Sequence, residues 1–292
     1  MPSHSPAQHT ERARPLLGTH VAIRVVNLPS TDAHALIDQA FSCVAEIHRL
    51  MSFHEVGSDL HRINQYALLC PTPVDQRTWQ VLTAAQEFSR ASAGLFDVTI
   101  ASALVAAGRL SAISGASIPE AGASWRDIEL LPGRHVRFHR PLWVDLGGIA
   151  KGYAVDCAIE LLRKAGATQA CVNAGGDLRV FGPHTERVHL LSAARADVMP
   201  VLEISDAAVA SSGGDGAHLH GVTRESVDLQ SRVSVVAADC MTADALTKVV
   251  LGDARLAESL LPQYRAVAYL NDSYQVTNGG WRTLGAPVES SC

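Results

Sequence analysis

Residues 144–156, V-D-L-G-G-I-A-K-G-Y-A-V-D, constrain this chain more than any other stretch. Leu142-Trp143-Val144 reads as the end of a strand, with Asp145 at its tip. Gly147 and Gly148 then leave the backbone bare of side chains. Ile149, Ala150, Tyr153, Ala154, Cys157, Ala158, Leu161 and Leu162 recur at helical spacing, which predicts a helix that Gly166 caps. A strand end, a glycine pair and a helix N-terminus together form an anion site, because free N–H groups and the positive end of the helix dipole converge there. Lys151 falls in the first helical turn, where the dipole disfavours a cation. A phosphate or carboxylate nearby explains that placement. The alternative is a tight turn in which Asp145 caps the helix and Lys151 lies in solvent.

Composition narrows the classes. The chain has 292 residues, 47% hydrophobic and 18% charged, which is enough to bury one large or two modest cores. Its formal net charge of -5 argues against a nucleic-acid or anionic-membrane surface. Cys43, Cys70, Cys157, Cys171, Cys240 and Cys292 are scattered, with no C-x-x-C pair, as expected of small core residues in a reducing compartment. The first residues carry no apolar h-region, and no apolar run is long enough to span a bilayer. A cytoplasmic protein is the expectation.

In chain order, residues 1–14 are polar and read as a loose tail. Residues 21–26 form a β-branched strand. Ser30 or Thr31 is placed to cap a helix with Leu36, Ile37, Ala40, Phe41, Val44, Ile47 and Leu50 on one face. A helix over about 75–92 carries Trp79, Leu82, Ala85 and Phe88. Asp97, inside an apolar run, needs partners if buried, or caps the segment that begins at Val98. Residues 125–130 and 135–138 read as two strands around a Pro132-Gly133 turn, leading up to Val144. A strand over 169–173 runs into a second glycine pair, Gly175-Gly176, with Asp177 behind it. Residues 189–192, 199–204, 207–210 and 232–237 read as antiparallel strands, and 211–216 as a glycine-rich loop. A helix over 243–251 is capped by residues 239–242 and ended by Gly252; a short helix covers about 254–261. Late strands cover 267–270 and 274–277.

Taken in this order, Leu17-Gly18-Thr19, Met51-Ser52, residues 58–64 (S-D-L-H-R-I-N), Phe96-Asp97-Val98-Thr99, the 144–156 segment, residues 172–178 (V-N-A-G-G-D-L), Ala210-Ser211-Ser212-Gly213 and residues 240–246 (C-M-T-A-D-A-L) resemble the ApbE family of FAD:protein FMN transferases, or flavin transferases. Each piece is weak alone; their order over nearly the whole chain is specific. The resemblance implies an α+β fold, mostly antiparallel sheet with packed helices, whose two lobes flank a flavin-nucleotide cleft. Residues 15–292 would form one domain. It implies that FAD is the substrate, that Mg²⁺ assists cleavage of its pyrophosphate, and that FMN passes to a Thr or Ser hydroxyl in a flavinylation motif of a target protein, with AMP leaving. Phosphoryl transfer of this kind rests on positioning and charge neutralisation.

The same resemblance implies the site residues. Asp145, Gly147 and Lys151 match the family's flavin and metal loop, and Asn173, Gly175, Gly176 and Asp177 its nucleotide loop. Met51, His54, Asp97, Ser212 and Gly213 fall at positions that line the flavin nucleotide. Asp244, Thr247 and the Gly148 backbone correspond to the metal ligands. His218 is the candidate general base, with Asp145 beside it in the catalytic set and His220 as runner-up.

Three departures qualify the match. The family's metal helix reads D-A-L-x-T, but here it is Asp244-Ala245-Leu246-Thr247-Lys248, with lysine at i+4. Thr247 at i+3 shares roughly the same face, or the Lys248 ammonium takes the cation site. His54 stands where the family often has Tyr. The H-I-I-D-P-x-T-G signature is missing, and only residues 217–221 (A-H-L-H-G) lie in that region. The readings are therefore an active flavin transferase, an FAD-binding relative with weak or no transfer, or a structural α+β domain that binds no nucleotide.

Overall fold

The computed structural model describes residues 9–183, 185–190, 201–213, 218–228, 230–271, 273–275 and 281–283. The described residues begin with a hairpin, β1 (His9–Leu16) and β2 (Thr19–Val26), turned through Leu17 and Gly18, both in left-handed backbone. The loose tail expected over residues 1–14 is thus corrected over residues 9–14, which form a polar, paired edge strand; residues 1–8 lie outside the described residues. Helix α1 (Ser30–Met51) buries Leu36, Ile37, Ala40, Phe41, Val44, Ile47 and Leu50, the face its periodicity predicts. Its N-cap is Pro29, with no side-chain cap, so neither Ser30 nor Thr31 caps it. Helix α2 (Asp59–Tyr66) starts from Ser58, whose hydroxyl accepts from the His61 N–H. Strand β3 (Thr72–Pro73) and helices α3 (Gln76–Ala91) and α4 (Ala101–Ala106) follow. Residues Trp125–Asp127, expected within a strand, form a 3₁₀ turn under a Ser124 capping box, and only then do β4 (Ile128–Leu131) and β5 (His135–Phe138) pair.

Leu142, Trp143 and Val144 are buried but belong to no sheet, contrary to the strand expected there. The Asn64 side chain replaces the missing strand partner: its amide donates to the Val144 carbonyl at 2.9 Å and its carbonyl accepts from the Val144 N–H at 2.7 Å. The next N–H, that of Asp145, donates to the Val98 carbonyl. Helix α5 (Ala150–Lys164) ends at its C-cap Ala165, and the expected Gly166 follows immediately, its φ of +91° suiting the left-handed residue just past a helix end.

The remaining elements build the main sheet. Strands β6 (Ala170–Ala174) and β7 (Asp177–Phe181) form a hairpin around Gly175-Gly176. A short ribbon, β8 (Glu186–His189) and β9 (Val201–Ile204), precedes β10 (Ala208–Gly213) and β11 (Arg232–Ala237). Helices α6 (Cys240–Gly252) and α7 (Ala254–Leu260) lead to β12 (Val267–Leu270), β13 (Ser273–Gln275) and β14 (Trp281–Thr283). Gly252 is the last residue of α6, so the helix ends where expected, while its start lies at Cys240, three residues before the expected one. Ser211-Ser212-Gly213, expected in a loop, completes β10; the rest of that loop, and residues 191, 192, 199, 200, 276 and 277 of the expected strands, lie outside the described residues.

Among the described residues the nine-stranded sheet runs β1-β2-β6-β7-β10-β11-β12-β13-β14, antiparallel throughout, beside a three-stranded sheet and the β8–β9 ribbon. This is the expected α+β class. Helices α1, α5 and α6 cover one sheet face. A smaller core of Leu178, Val180, Leu190, Ile204 and Val209 fills the other. The two-residue period of β7 explains the split: Phe181 packs in the helix-side core, Leu178 and Val180 in the small one.

Candidate active site

Helices α5 and α6 meet at Gly152, where a Cβ would overlap the Cys240 carbonyl oxygen. Each helix start is met by a carboxylate of the other helix. Asp156 of α5 accepts from the Cys240 and Met241 N–H groups at 2.9 and 2.8 Å. Asp244 of α6 accepts from Gly152 N–H, in the first turn of α5, at 3.2 Å. Carboxylates at helix N-termini are favoured by the dipole. Part of the anion-binding capacity expected of the α5 N-terminus is therefore taken up by the protein itself.

Lys151 follows the same logic. It is not in solvent: its ammonium pairs with the fully buried Asp177. Burial alone would lower the Lys151 pKa, but the Asp244 and Asp177 carboxylates outweigh it and raise it. Burial, reinforced by Asp244, pushes the Asp177 carboxyl up to about 6 even though Lys151 and Lys248 oppose the shift. One oxygen of Asp177, Oδ1, is buried with no hydrogen-bond partner.

Lys248 closes the cluster from α6. Its ammonium donates to Asp244 Oδ1 at 2.5 Å, Ser212 Oγ at 2.9 Å and Thr247 Oγ1 at 3.0 Å. Thr247 also donates to the Asp244 carbonyl at 2.7 Å and lies 2.8 Å from Ser212 Oγ. Burial works against the Asp244 charge, yet Lys248 and Lys151 hold its pKa below the usual carboxylate value.

Above this cluster opens a cavity of about 680 Å³. That lies in the ~300–1,000 Å³ range typical of small-molecule and cofactor sites. Lys151 and Lys248 reach it from the helix side, Asn173 and Ser234 from the strands. Its rim carries both glycine pairs. Gly147 N–H donates to Asp145 Oδ2 at 3.1 Å, and Gly176 N–H donates to Asn173 Oδ1 at 3.0 Å. Gly175 is required: its φ is +66° and a Cβ would overlap Thr19 Oγ1. Burial raises the Asp145 carboxyl above its usual pKa, against the Gly147 N–H and the charge field of His54.

The cavity brings together Asp145, Gly147, Gly148, Lys151, Asn173, Gly175, Gly176, Ser212, Gly213 and His218 from the residues the sequence singles out. Asp177, Asp244 and Thr247 lie beneath it, fully buried. Asp97 lines a smaller adjoining space shared with Asp145, Gly148 and Lys248. It is both cap and ion-pair partner: it accepts from Thr99 N–H at 2.8 Å and pairs with Arg224 at 2.8 Å. Met51 is buried in the main core, and His54 is exposed against Phe53; neither lines the cavity. His220 is held in a turn, accepting from the Val222 and Thr223 N–H groups, and lies outside the cavity lining. Sequence reasoning missed Arg224, the β8 wall (Glu186–His189) and Ser234, since they carry no motif.

The implied metal can be tested against this donor set. Asp244 Oδ1 and Thr247 Oγ1 are both bonded to Lys248 Nζ, and a Cβ on Gly148 would lie 3.3 Å from Lys248 Cε. Two carboxylates and two ammonium groups already balance. A Mg²⁺ ion there would stand within about 4 Å of an ammonium, a repulsion of about 4 kcal/mol per pair of unit charges at an effective dielectric of 20. The residues present do not fit Mg²⁺ while Lys248 keeps this position. Among the described residues, no three His, Cys, Asp or Glu side chains converge as a metal group.

A model of the ApbE family matches residues 17–268. The FAD:protein FMN transferase of Vibrio cholerae is 28% identical over 279 residues, covering 86% of this chain and 84% of the relative. That of Klebsiella pneumoniae is 25% identical over 240 residues, 75% of each chain. Among solved structures, the flavin transferase ApbE of V. cholerae superimposes with a TM-score of 0.79 at 22% identity, covering 96% of this chain and 98% of that one. The ApbE protein of Thermotoga maritima gives 0.79 at 24% identity, covering 95% and 97%. At these identities the structures establish the shared fold.

Proposed function

This chain belongs to the ApbE family, and from that premise we propose that it transfers FMN from FAD to a Ser or Thr hydroxyl of a target flavoprotein, releasing AMP. The observation that carries the reading is the cavity floor. Two ammonium groups, Lys151 and Lys248, face a 680 Å³ space rimmed by two glycine turns, the chemistry a pyrophosphate needs. The cavity is the flavin-nucleotide cleft in this reading, and the cell compartment is the cytoplasm.

The acceptor hydroxyl oxygen attacks the FMN phosphorus, the new O–P bond forms, and the bond from that phosphorus to the bridging pyrophosphate oxygen breaks. The electron pair of that bond leaves with AMP. Lys151 and Lys248 offset the charge that grows on the phosphates. His218, on the cavity wall, takes the hydroxyl proton, and Asp145 on the rim is the second proton-handling group. The Mg²⁺ implied by the resemblance does not enter this reading, because its donor atoms are bonded to Lys248.

The second reading, an FAD-binding relative without transfer, draws on the missing acceptor signature near His218. Incubating the pure protein with FAD and an acceptor domain carrying a Ser/Thr flavinylation motif separates the two. Release of AMP with an acceptor mass gain of one FMN, reduced far more by His218→Ala than by His220→Ala, supports transfer. FAD binding with neither AMP nor mass gain on several acceptors supports the second reading.

A further inference from the structure

We infer that Lys248 is a built-in replacement for a divalent cation: its ammonium holds the cation position under the pyrophosphate, so that this chain binds FAD without Mg²⁺. The inference rests on the flavin-nucleotide reading for its ligand, and on the geometry of α6 and β10 for its site.

The hydrogen-bond wiring closes without a metal. An ammonium has three donors, and Lys248 Nζ has three acceptors: Asp244 Oδ1, Ser212 Oγ and Thr247 Oγ1. The Thr247 hydroxyl proton goes to the Asp244 carbonyl, which leaves Ser212 to donate to Thr247. Each group has one consistent role. Such a network pins the ammonium in place, and its side chain is only 13% exposed. Lys248 nonetheless lines both the main cavity and the smaller space beside Asp97 and Asp145. It therefore acts as a fixed positive charge under the cavity floor, not as a mobile surface lysine.

The rest of the floor agrees with that assignment. Gly148 lets the backbone lie against the Lys248 stem, with Cε 3.3 Å and Cγ 3.6 Å from where a Cβ would be. Lys151 and Asp177 supply a second neutral pair, so the floor balances before any ligand arrives. A divalent ion would have to displace the ammonium from Asp244. Only then would the buried carboxylate be free to ligate.

The test compares the full chain with Lys248→Thr, which places a hydroxyl four residues after Asp244, and with Lys248→Met, which removes the charge without adding a donor. Each apo protein is titrated with Mn²⁺ and watched by electron paramagnetic resonance and by melting temperature. FAD binding is measured by flavin fluorescence in EDTA and in Mg²⁺. The expected wild-type result is no specific Mn²⁺ site and FAD affinity equal in EDTA and Mg²⁺. Lys248→Thr should take up Mn²⁺, bind FAD about tenfold more weakly in EDTA, and recover with Mg²⁺. Lys248→Met should stay weak in both. Stoichiometric Mn²⁺ binding to the wild type, a wild-type FAD affinity about tenfold higher in Mg²⁺ than in EDTA, or full-strength FAD binding by Lys248→Met would overturn the inference. If the wild type binds no FAD in either condition, the flavin reading fails, and the Mn²⁺ titration of the apo proteins alone decides whether Lys248 excludes the metal. If Lys248→Thr does not fold, the wild-type Mn²⁺ and FAD measurements still decide it.

Discussion

Lys248 Nζ lies 2.5 Å from Asp244 Oδ1, one helical turn along α6, and the pair is almost closed to solvent. Removing one partner of a buried pair strands the other, which typically costs ~3–5 kcal/mol, whereas removing both costs far less. Asp244→Ala should therefore destabilise strongly, and Asp244→Ala/Lys248→Met should cost less than the sum of the single changes by at least ~1 kcal/mol. Urea unfolding at pH 7 measures the cycle. Strict additivity would show that the two side chains do not act as a pair.

Asp177 gives a pH dependence with a defined sign. Its folded pKa of about 6 lies above the ~3.9 of an unfolded aspartate, so the native state binds the extra proton between those values. Its contribution to stability is full below about pH 4, falls as pH rises to about 6, and is level above. The span is roughly 2–3 kcal/mol at 1.36 kcal/mol per unit. Asp177→Asn should flatten the stability profile over that window by about one proton. An unchanged slope would place the titration elsewhere.

Asn64 holds the strand-like segment before Asp145 by two hydrogen bonds to Val144. Asn64→Ala leaves a buried N–H and a buried carbonyl without partners, at about 1–3 kcal/mol each. A loss of ~2–4 kcal/mol in denaturant unfolding, with weaker FAD binding because Asp145 shifts, is the expected outcome. A stability loss under ~1 kcal/mol would mean that water replaces the amide.

Gly152 permits the close crossing of α5 and α6, and its N–H holds Asp244. Gly152→Ala raises helix propensity by ~1 kcal/mol, so an isolated helix would gain. Here the added methyl collides with the Cys240 carbonyl, and the net change should be a loss of ~1–3 kcal/mol, measured by thermal and urea unfolding. A more stable variant would refute the packing argument.

Much of the fold is legible from local pattern. The apolar face of α1, the Gly166 turn after α5 and the Gly175-Gly176 hairpin all follow from spacing and backbone preference. The errors have local causes. Leu142-Trp143-Val144 is apolar and extended, but a side-chain amide and not a strand satisfies it. His9–Leu16 is polar because it is an edge strand, which pairs on one side and meets water elsewhere.

The sequence alone determined the family, through ordered motifs, and the faces of the helices, through periodicity. It also marked Lys248 as the departure from the metal helix. Only the tertiary structure decided what surrounds each charge. Lys151 meets Asp177 across 26 residues, Gly152 meets Asp244 across 92, and Ser212 meets Lys248 across 36. Periodicity says which way a side chain faces; electrostatic function depends on which oxygen lies within 3 Å, and that follows from how separate helices and strands cross.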